Sequence, residues 1–169
     1  TAIHVKGESG KPTTNCAIYG YKKMPGDKYS WYIDEEAAAV VRRIFRLTIE
    51  GNGPYDIARI HDDDKVETPA VYAAKQGRGV WKSKEEFPNP YNWSGYIVGQ
   101  ILSKPEYMGH TVNFRSHKQS YKDKNPVMNP QEDWLIFENT HEAIVDKEMW
   151  ELAQKLRKTP RRHDTLGEA

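Results

Sequence analysis

Apolar residues recur every three or four positions between residues 35 and 51. Ala37, Val40, Val41, Ile44, Phe45, Thr48 and Ile49 line one side, flanked by Arg42, Arg43 and Arg46. That period predicts an amphipathic helix. Asp34 stands at its N-cap, Glu35 and Glu36 occupy its first turn, and Gly51 sits where a left-handed C′ residue ends a helix. Before it, CAIYGYKK and YSWYID alternate apolar and polar residues around the Pro-Gly turn MPGDK, which predicts a short β-hairpin. Gly53-Pro54 opens a second, shorter helix with Tyr55, Ile57, Ala58 and Ile60 inward, stopped by Asp62, Asp63 and Asp64. Residues 66–90 read mostly as loop, with one helical turn around Val71 to Ala74. A third helix, capped by Asn92 or Ser94, runs through IVGQILSK to Pro105. Its inner side holds Ile97, Ile101 and Leu102, with Tyr107 packing after the turn; Gly95, Tyr96, Gly99, Gln100, Ser103 and Lys104 remain outside. YMGHTVNF and DWLIFEN read as strands. Asp146 caps a last helix, KEMWELAQKLRK, with Met149, Trp150, Ala153 and Leu156 inward. The expected fold class is α+β: mostly helical, with a small antiparallel sheet and a closing C-terminal helix.

Three regions follow from this pattern. Residues 1–15 are polar and without periodicity, and read as a linker arriving from an upstream domain. Residues 16–158 form the domain, and 159–169 a polar tail. The hydrophobic fraction of 37% is modest for 169 residues, but ten Tyr and five Trp can build a thin, aromatic-rich core. Trp31, Trp81, Trp93, Tyr107 and Trp150 are assigned to it.

Composition narrows the function classes. No apolar run approaches the roughly 20 residues of a membrane helix, and no basic segment with an apolar stretch opens the chain as a signal peptide would. The lone Cys16 has no internal partner and belongs to no CxxC pair, the usage of a cytoplasmic protein. HEAIVD lacks the second His of a zinc-binding HExxH, and His61 with its three Asp lacks the Gly and closing Glu of a calcium loop. Neither metal nor cofactor is implied. A hydrolase built on His141 and Asp146 has no nucleophile and base at a recognisable spacing.

Net charge is only +1, so its distribution matters more than its sum. Between His110 and Pro130 stand Arg115, Lys118, Lys122 and Lys124 with a single acid, Asp123, and with Tyr121 among them. Such a loop suits phosphate contacts, although on pattern alone a mobile hairpin tip explains it somewhat better. The second and third helices could be the limbs of a helix-turn-helix, although the stretch between them is far longer than an ordinary turn. On the third helix Tyr96, Gln100, Ser103 and Lys104 follow one exposed face. Gln can pair with adenine, Lys can reach guanine or a phosphate, and Gly95 and Gly99 leave room against a groove wall. Any amphipathic surface helix shows such a face, so the pattern alone leaves DNA reading and docking of a partner protein both open.

A series of signatures in fixed order resembles the recombinase domain of the large serine recombinases, the serine integrases and transposon resolvases. These are IYGYKK (18–23), W-x-I-D with EAAAVVRRIF (31–45), G-x-G with DIAR (51–59), Val66 with Thr68-Pro69, WSGYIVGQILSKPEYMG (93–109) and HEAIVDKEMWELAQ (141–154). They cover the chain from residue 16 to about 157. The resemblance implies a helix-turn-helix-like domain that grips duplex DNA at an attachment site, with a preceding linker in the minor groove. It also implies a separate catalytic domain carrying a serine nucleophile and a zinc-ribbon domain. Neither the Y-x-R-x-S motif of the former nor the cysteines of the latter occurs here. Two further departures are Ile18, where the family has Pro, and Lys104, where it has Asn.

The resulting expectation is a sequence-specific binder of double-stranded DNA without a catalytic residue of its own. Tyr96, Gln100, Ser103 and Lys104 are its base readers, and Lys6, Lys11, Arg115, Lys118, Lys122 and Lys124 its phosphate contacts. No membrane is expected as a partner. The chain alone is expected to be a monomer, and the full-length protein a dimer or tetramer on DNA. A protein-interaction module docking a partner through its helical face is the alternative.

Overall fold

The computed structural model describes residues 2–159. The hairpin forms where alternation predicts it: β1 (Tyr21–Met24) lies antiparallel to β2 (Asp27–Ile33), with Tyr21 opposite Ile33 and Lys22 opposite Tyr32. α2 (Glu35–Ile49) follows and buries Ala37, Ala38, Val41, Ile44, Phe45 and Thr48. Asp34 holds the N-cap position but makes no side-chain cap. Its carboxylate instead accepts the Tyr72 phenol proton at 2.8 Å and faces the Lys22 ammonium at 3.4 Å. Burial, together with this carboxylate, pushes the Tyr72 phenol up to about 12.

α3 (Pro54–Asp63) and α4 (Pro69–Lys75) both open on proline, whose fixed φ suits a first turn and whose missing N–H is not needed there. α4 exceeds the single turn expected, because Val71, Tyr72 and Ala74 all find cover. α5 (Gly95–Leu102) is capped by Ser94, whose hydroxyl accepts the Ile97 N–H at 3.2 Å. Its buried side includes Val98, which the sequence reading left out, together with Ile101 and Leu102. A 3₁₀ turn (Pro105–Met108) then leads to β3 (Thr111–Asn113), paired antiparallel with β6 (Leu135–Phe137). Inside the basic loop between them, β4 (Ser116–His117) and β5 (Val127–Met128) form a ribbon that carries no alternation long enough to announce itself. The small sheet is therefore three separate two-stranded ribbons. α6 (Lys147–Lys158) closes the fold, with Asp146 accepting the Met149 N–H at 2.7 Å as its position predicts.

α2, α3, α5 and α6 pack around one core that takes in Tyr21 and Trp31 of the hairpin and Tyr107 of the 3₁₀ turn. Aromatic rings supply the bulk, and most of their polar atoms find partners, the buried Trp31 indole N–H being an exception. The Tyr107 phenol donates to the Tyr19 carbonyl at 2.7 Å, Tyr21 to Glu142 at 2.7 Å, and the Trp93 indole to Val66 at 2.8 Å. Gly109, at φ +92°, makes the exit from the 3₁₀ turn possible, since a Cβ there would stand 2.6 Å from the His141 carbonyl oxygen. Three inward assignments are corrected. Tyr55 is 83% exposed because it precedes the buried turn of α3, Leu156 is 40% exposed near the open end of α6, and Trp81 is 53% exposed on the α4–α5 loop. Trp81 keeps partial cover from the Lys84 ammonium, 5.5 Å from its ring.

The amino-terminal stretch is not without structure. α1 (Ala2–Glu8) is a short helix with no apolar stripe, held by docking rather than by periodicity. The Phe114 ring stacks on His4 with centroids 5.4 Å apart, and it fills the space that any side chain on Gly7 would need. Buried Asn113 donates to the carbonyls of Gly7 and Lys11, each at 3.0 Å, and accepts the Thr13 N–H at 3.4 Å. Residues 2–13 are thereby fastened to β3. The expected polar tail, apart from Thr159, lies outside the described residues.

Two histidines pack against this core. His61 donates from Nδ1 to the Ile57 carbonyl at 2.7 Å and packs on Trp93, and its Nε2 has no partner. His141 donates from Nε2 to the Glu106 carbonyl at 2.7 Å and lies against Tyr21 and Trp31. Burial holds both imidazoles below their ordinary range. A depressed folded-state pKa means that the unfolded chain takes up protons first as pH falls. Stability should therefore be level above the ordinary imidazole value of about 6.5 and decline below it. Melting temperatures measured from pH 8 to pH 5.5 should show that plateau and decline; a curve flat or rising toward acid would contradict it.

Candidate DNA interface

α3 and α5 pack directly on one another. The long insertion between them, α4 and its loop, folds aside: Thr68 N–H bonds the Pro90 carbonyl at 3.0 Å, and Arg78 reaches the Tyr21 carbonyl at 3.4 Å. Two helices far apart in sequence are thus brought into direct contact. α5 buries Val98, Ile101 and Leu102 and leaves Tyr96 and Gln100 outside, with Tyr96 74% exposed. Ser103 is the C-cap, exposed, with its hydroxyl donating to the Gln100 carbonyl at 3.0 Å. Three of the four expected readers therefore lie on one open face.

Lys104 does not join them. Its backbone turns extended after the helix, with φ −96° and ψ 108°, and its carbonyl accepts the Trp150 indole N–H at 3.2 Å. The side chain is half-buried near Glu106 and Arg115, and desolvation holds its ammonium below the ordinary lysine value. Helical spacing projected it onto the outer face because sequence alone does not show that the helix stops one residue earlier. In its place the structure offers Tyr55. Its ring lies over Gly95, where a Cβ would come within 2.9–3.2 Å of ring atoms. Gly95 is buried, so it admits the tyrosine rather than a groove wall. One turn along α3, exposed Arg59 carries a 3.5 Å contact to Asp56. From α6, Arg157 reaches the Gly99 carbonyl at 3.4 Å.

The expected phosphate contacts divide into three groups. Arg115 is not a free cation: it pairs with buried Glu106 and lies 5.0 Å over the Trp134 ring. Immediately before β4, it is the anchor of the loop and not its tip. Lys118, Lys122 and Lys124 are all exposed in residues 118–126, the tip that β4 and β5 present, with Lys122 5.7 Å from the exposed Tyr121 ring. The tip is held from below by Asn129, which donates to the Phe114 carbonyl at 2.7 Å. Lys6 and Lys11 lie elsewhere, beside Tyr29 of the β1–β2 hairpin. Among the described residues no group of three or more His, Cys, Asp and Glu could hold a metal ion, and no helix is long and apolar enough to cross a membrane.

The family described as Recombinase matches residues 35–160 of this sequence. A solved structure described as a crystal structure of an LSR–DNA complex superimposes with a TM-score of 0.51 at 18% identity, over 92% of this chain and 37% of that one. Another, from work on the sequence requirements of the Listeria innocua prophage attP site, gives 0.47 at 19% identity, over 92% of this chain and 48% of that one. The first likeness supports the α+β fold. This chain spans less than half the length of either.

Proposed function

The chain belongs to the recombinase family, and from that premise we propose that it binds duplex DNA sequence-specifically at a recombination site, within a serine recombinase that cuts and exchanges strands. The observation that carries this reading is the α3–α5 pair, whose outer surface presents Tyr96, Gln100 and Ser103 beside Tyr55. A helix lying in the major groove needs a buried back and hydrogen-bonding groups in front, and α5 has both. The exposed lysines of the β4–β5 tip, with Lys11 and the partly buried Lys6 of the amino-terminal segment, supply cations for the phosphates. The structural neighbour described as an LSR–DNA complex fits this reading. The strand-cutting serine is assigned to another part of the protein, since no serine here stands in a nucleophile's motif.

Chemical protection tests the groove assignment. On a duplex selected for tight binding, guanine N7 atoms should be shielded from methylation over one short block. Binding that leaves every N7 reactive would place the protein outside the major groove and overturn the reading. The Gly95→Ala variant tests the Tyr55 placement. A methyl group pressed against the Tyr55 ring should weaken binding by displacing it, with the melting temperature changed far less in proportion. Equal losses in stability and affinity would count against a role for Tyr55 on the DNA face.

A further inference from the structure

Three ammonium groups from three parts of the chain surround one ring. Lys6 of α1, Lys11 of the following loop and Lys28 of β2 stand 5.0, 5.1 and 5.2 Å from the centroid of Tyr29. No two of them can be more than about 10 Å apart, close to a Debye length of about 8 Å at physiological salt, so they repel one another. None makes an ion pair among the described residues, whereas Lys22, Lys75 and Lys147 each do. Asp27, next to Lys28 in sequence, has its carboxylate engaged by the Tyr29 N–H at 3.0 Å and the Ser30 hydroxyl at 2.6 Å. The convergence is built by other residues: Asn113 and Phe114 fasten residues 2–13 to β3, which carries Lys6 and Lys11 to the hairpin. The Ser30 and Tyr29 bonds, and after them the Lys11 ammonium, hold the Asp27 carboxyl below its ordinary value. Yet this one acid faces three cations, and such an excess of positive charge suits an anion.

We propose that Lys6, Lys11 and Lys28, arrayed around Tyr29, form a seat for a single backbone phosphate of duplex DNA. The inference rests on the DNA-binding reading and extends it to the β1–β2 hairpin, which thereby acts with the amino-terminal segment as one clamp. Tyr29 serves as the floor of the seat, the common ring on which the three ammoniums converge.

Salt dependence distinguishes one shared phosphate from three separate ones. Each neutralised phosphate contributes about 0.9 to the slope of log K against log salt. A Lys6→Gln, Lys11→Gln, Lys28→Gln triple variant should lower the slope on a random-sequence duplex by about 0.9 in total, whereas Lys28→Gln alone, which leaves two ammoniums for the same phosphate, should lower it by much less. Removal of mutual repulsion should leave the triple variant's melting temperature unchanged or raised. A slope reduced by about three such contributions would mean three independent contacts and overturn the shared seat. An unchanged slope in the triple variant, with the parent chain binding normally, would overturn it altogether. A lowered melting temperature would assign the lysines to packing on Tyr29 and do the same. If the parent chain itself shows no salt-dependent duplex binding, the DNA reading fails first and the seat falls with it.

Discussion

Arg115→Ala is expected to remove about 3 kcal/mol of folding stability, the low end of what breaking a buried ion pair costs. Glu106 is buried at 6% exposure, and its carboxylate faces the Arg115 guanidinium, whose other face covers Trp134. The low end applies because the Arg115 side chain keeps 24% exposure and Lys104 stays near the acid. The effect should depend on pH. Burial already raises the Glu106 carboxyl, against the pull of Arg115 and Lys104, and losing Arg115 raises it further. A raised folded-state pKa gives stability that is present below the ordinary value of about 4.3 and is lost as pH rises through the folded-state value. The variant's deficit should therefore be larger at pH 7 than at pH 4.5, measured by denaturant unfolding at each. A variant of unchanged stability but weakened DNA binding would restore Arg115 to the phosphate contacts.

Gln100→Ala and Lys118→Ala should fail in different ways. Gln100 sits at the centre of the exposed α5 face and can form a paired hydrogen bond with an adenine edge. Its loss should relax specificity at one base pair by about 1–3 kcal/mol and leave random-sequence binding nearly untouched. Lys118 stands on the exposed β4–β5 tip, where no base edge is required of it. Its loss should weaken every sequence alike and lower the salt slope by about 0.9. Competition binding against a set of single-base-pair variants separates the two. Equal losses for both on specific and random duplexes would dissolve the distinction between reader and phosphate contact.

The helices were legible because their signals are local. α2 has a strict apolar period between an acidic first turn and Gly51, and Asp146 and Ser94 cap their helices through contacts three residues away. What sequence could not show depends on partners distant in the chain. α1 exists through Asn113 and Phe114, about a hundred residues on, so its own residues carry no period. Tyr55 reads as core by hydrophobicity, yet its place over Gly95 leaves it open. Arg115 and Lys104 read as surface cations until Glu106 is seen buried beside them. Lys28 and Tyr29 carry no signal in the sequence because their significance comes only from Lys6 and Lys11 meeting them in space. Charge counted along a sequence finds loops; charge counted in space finds the clamp.

The most direct test of DNA reading is fluorescence-anisotropy binding to a random-sequence duplex and to a selected pool, each titrated from low to physiological salt. The account predicts a slope of log K against log salt of several units, with one sequence family enriched in the pool. A flat salt response with no enrichment would contradict it and turn attention to a partner protein on the helical face.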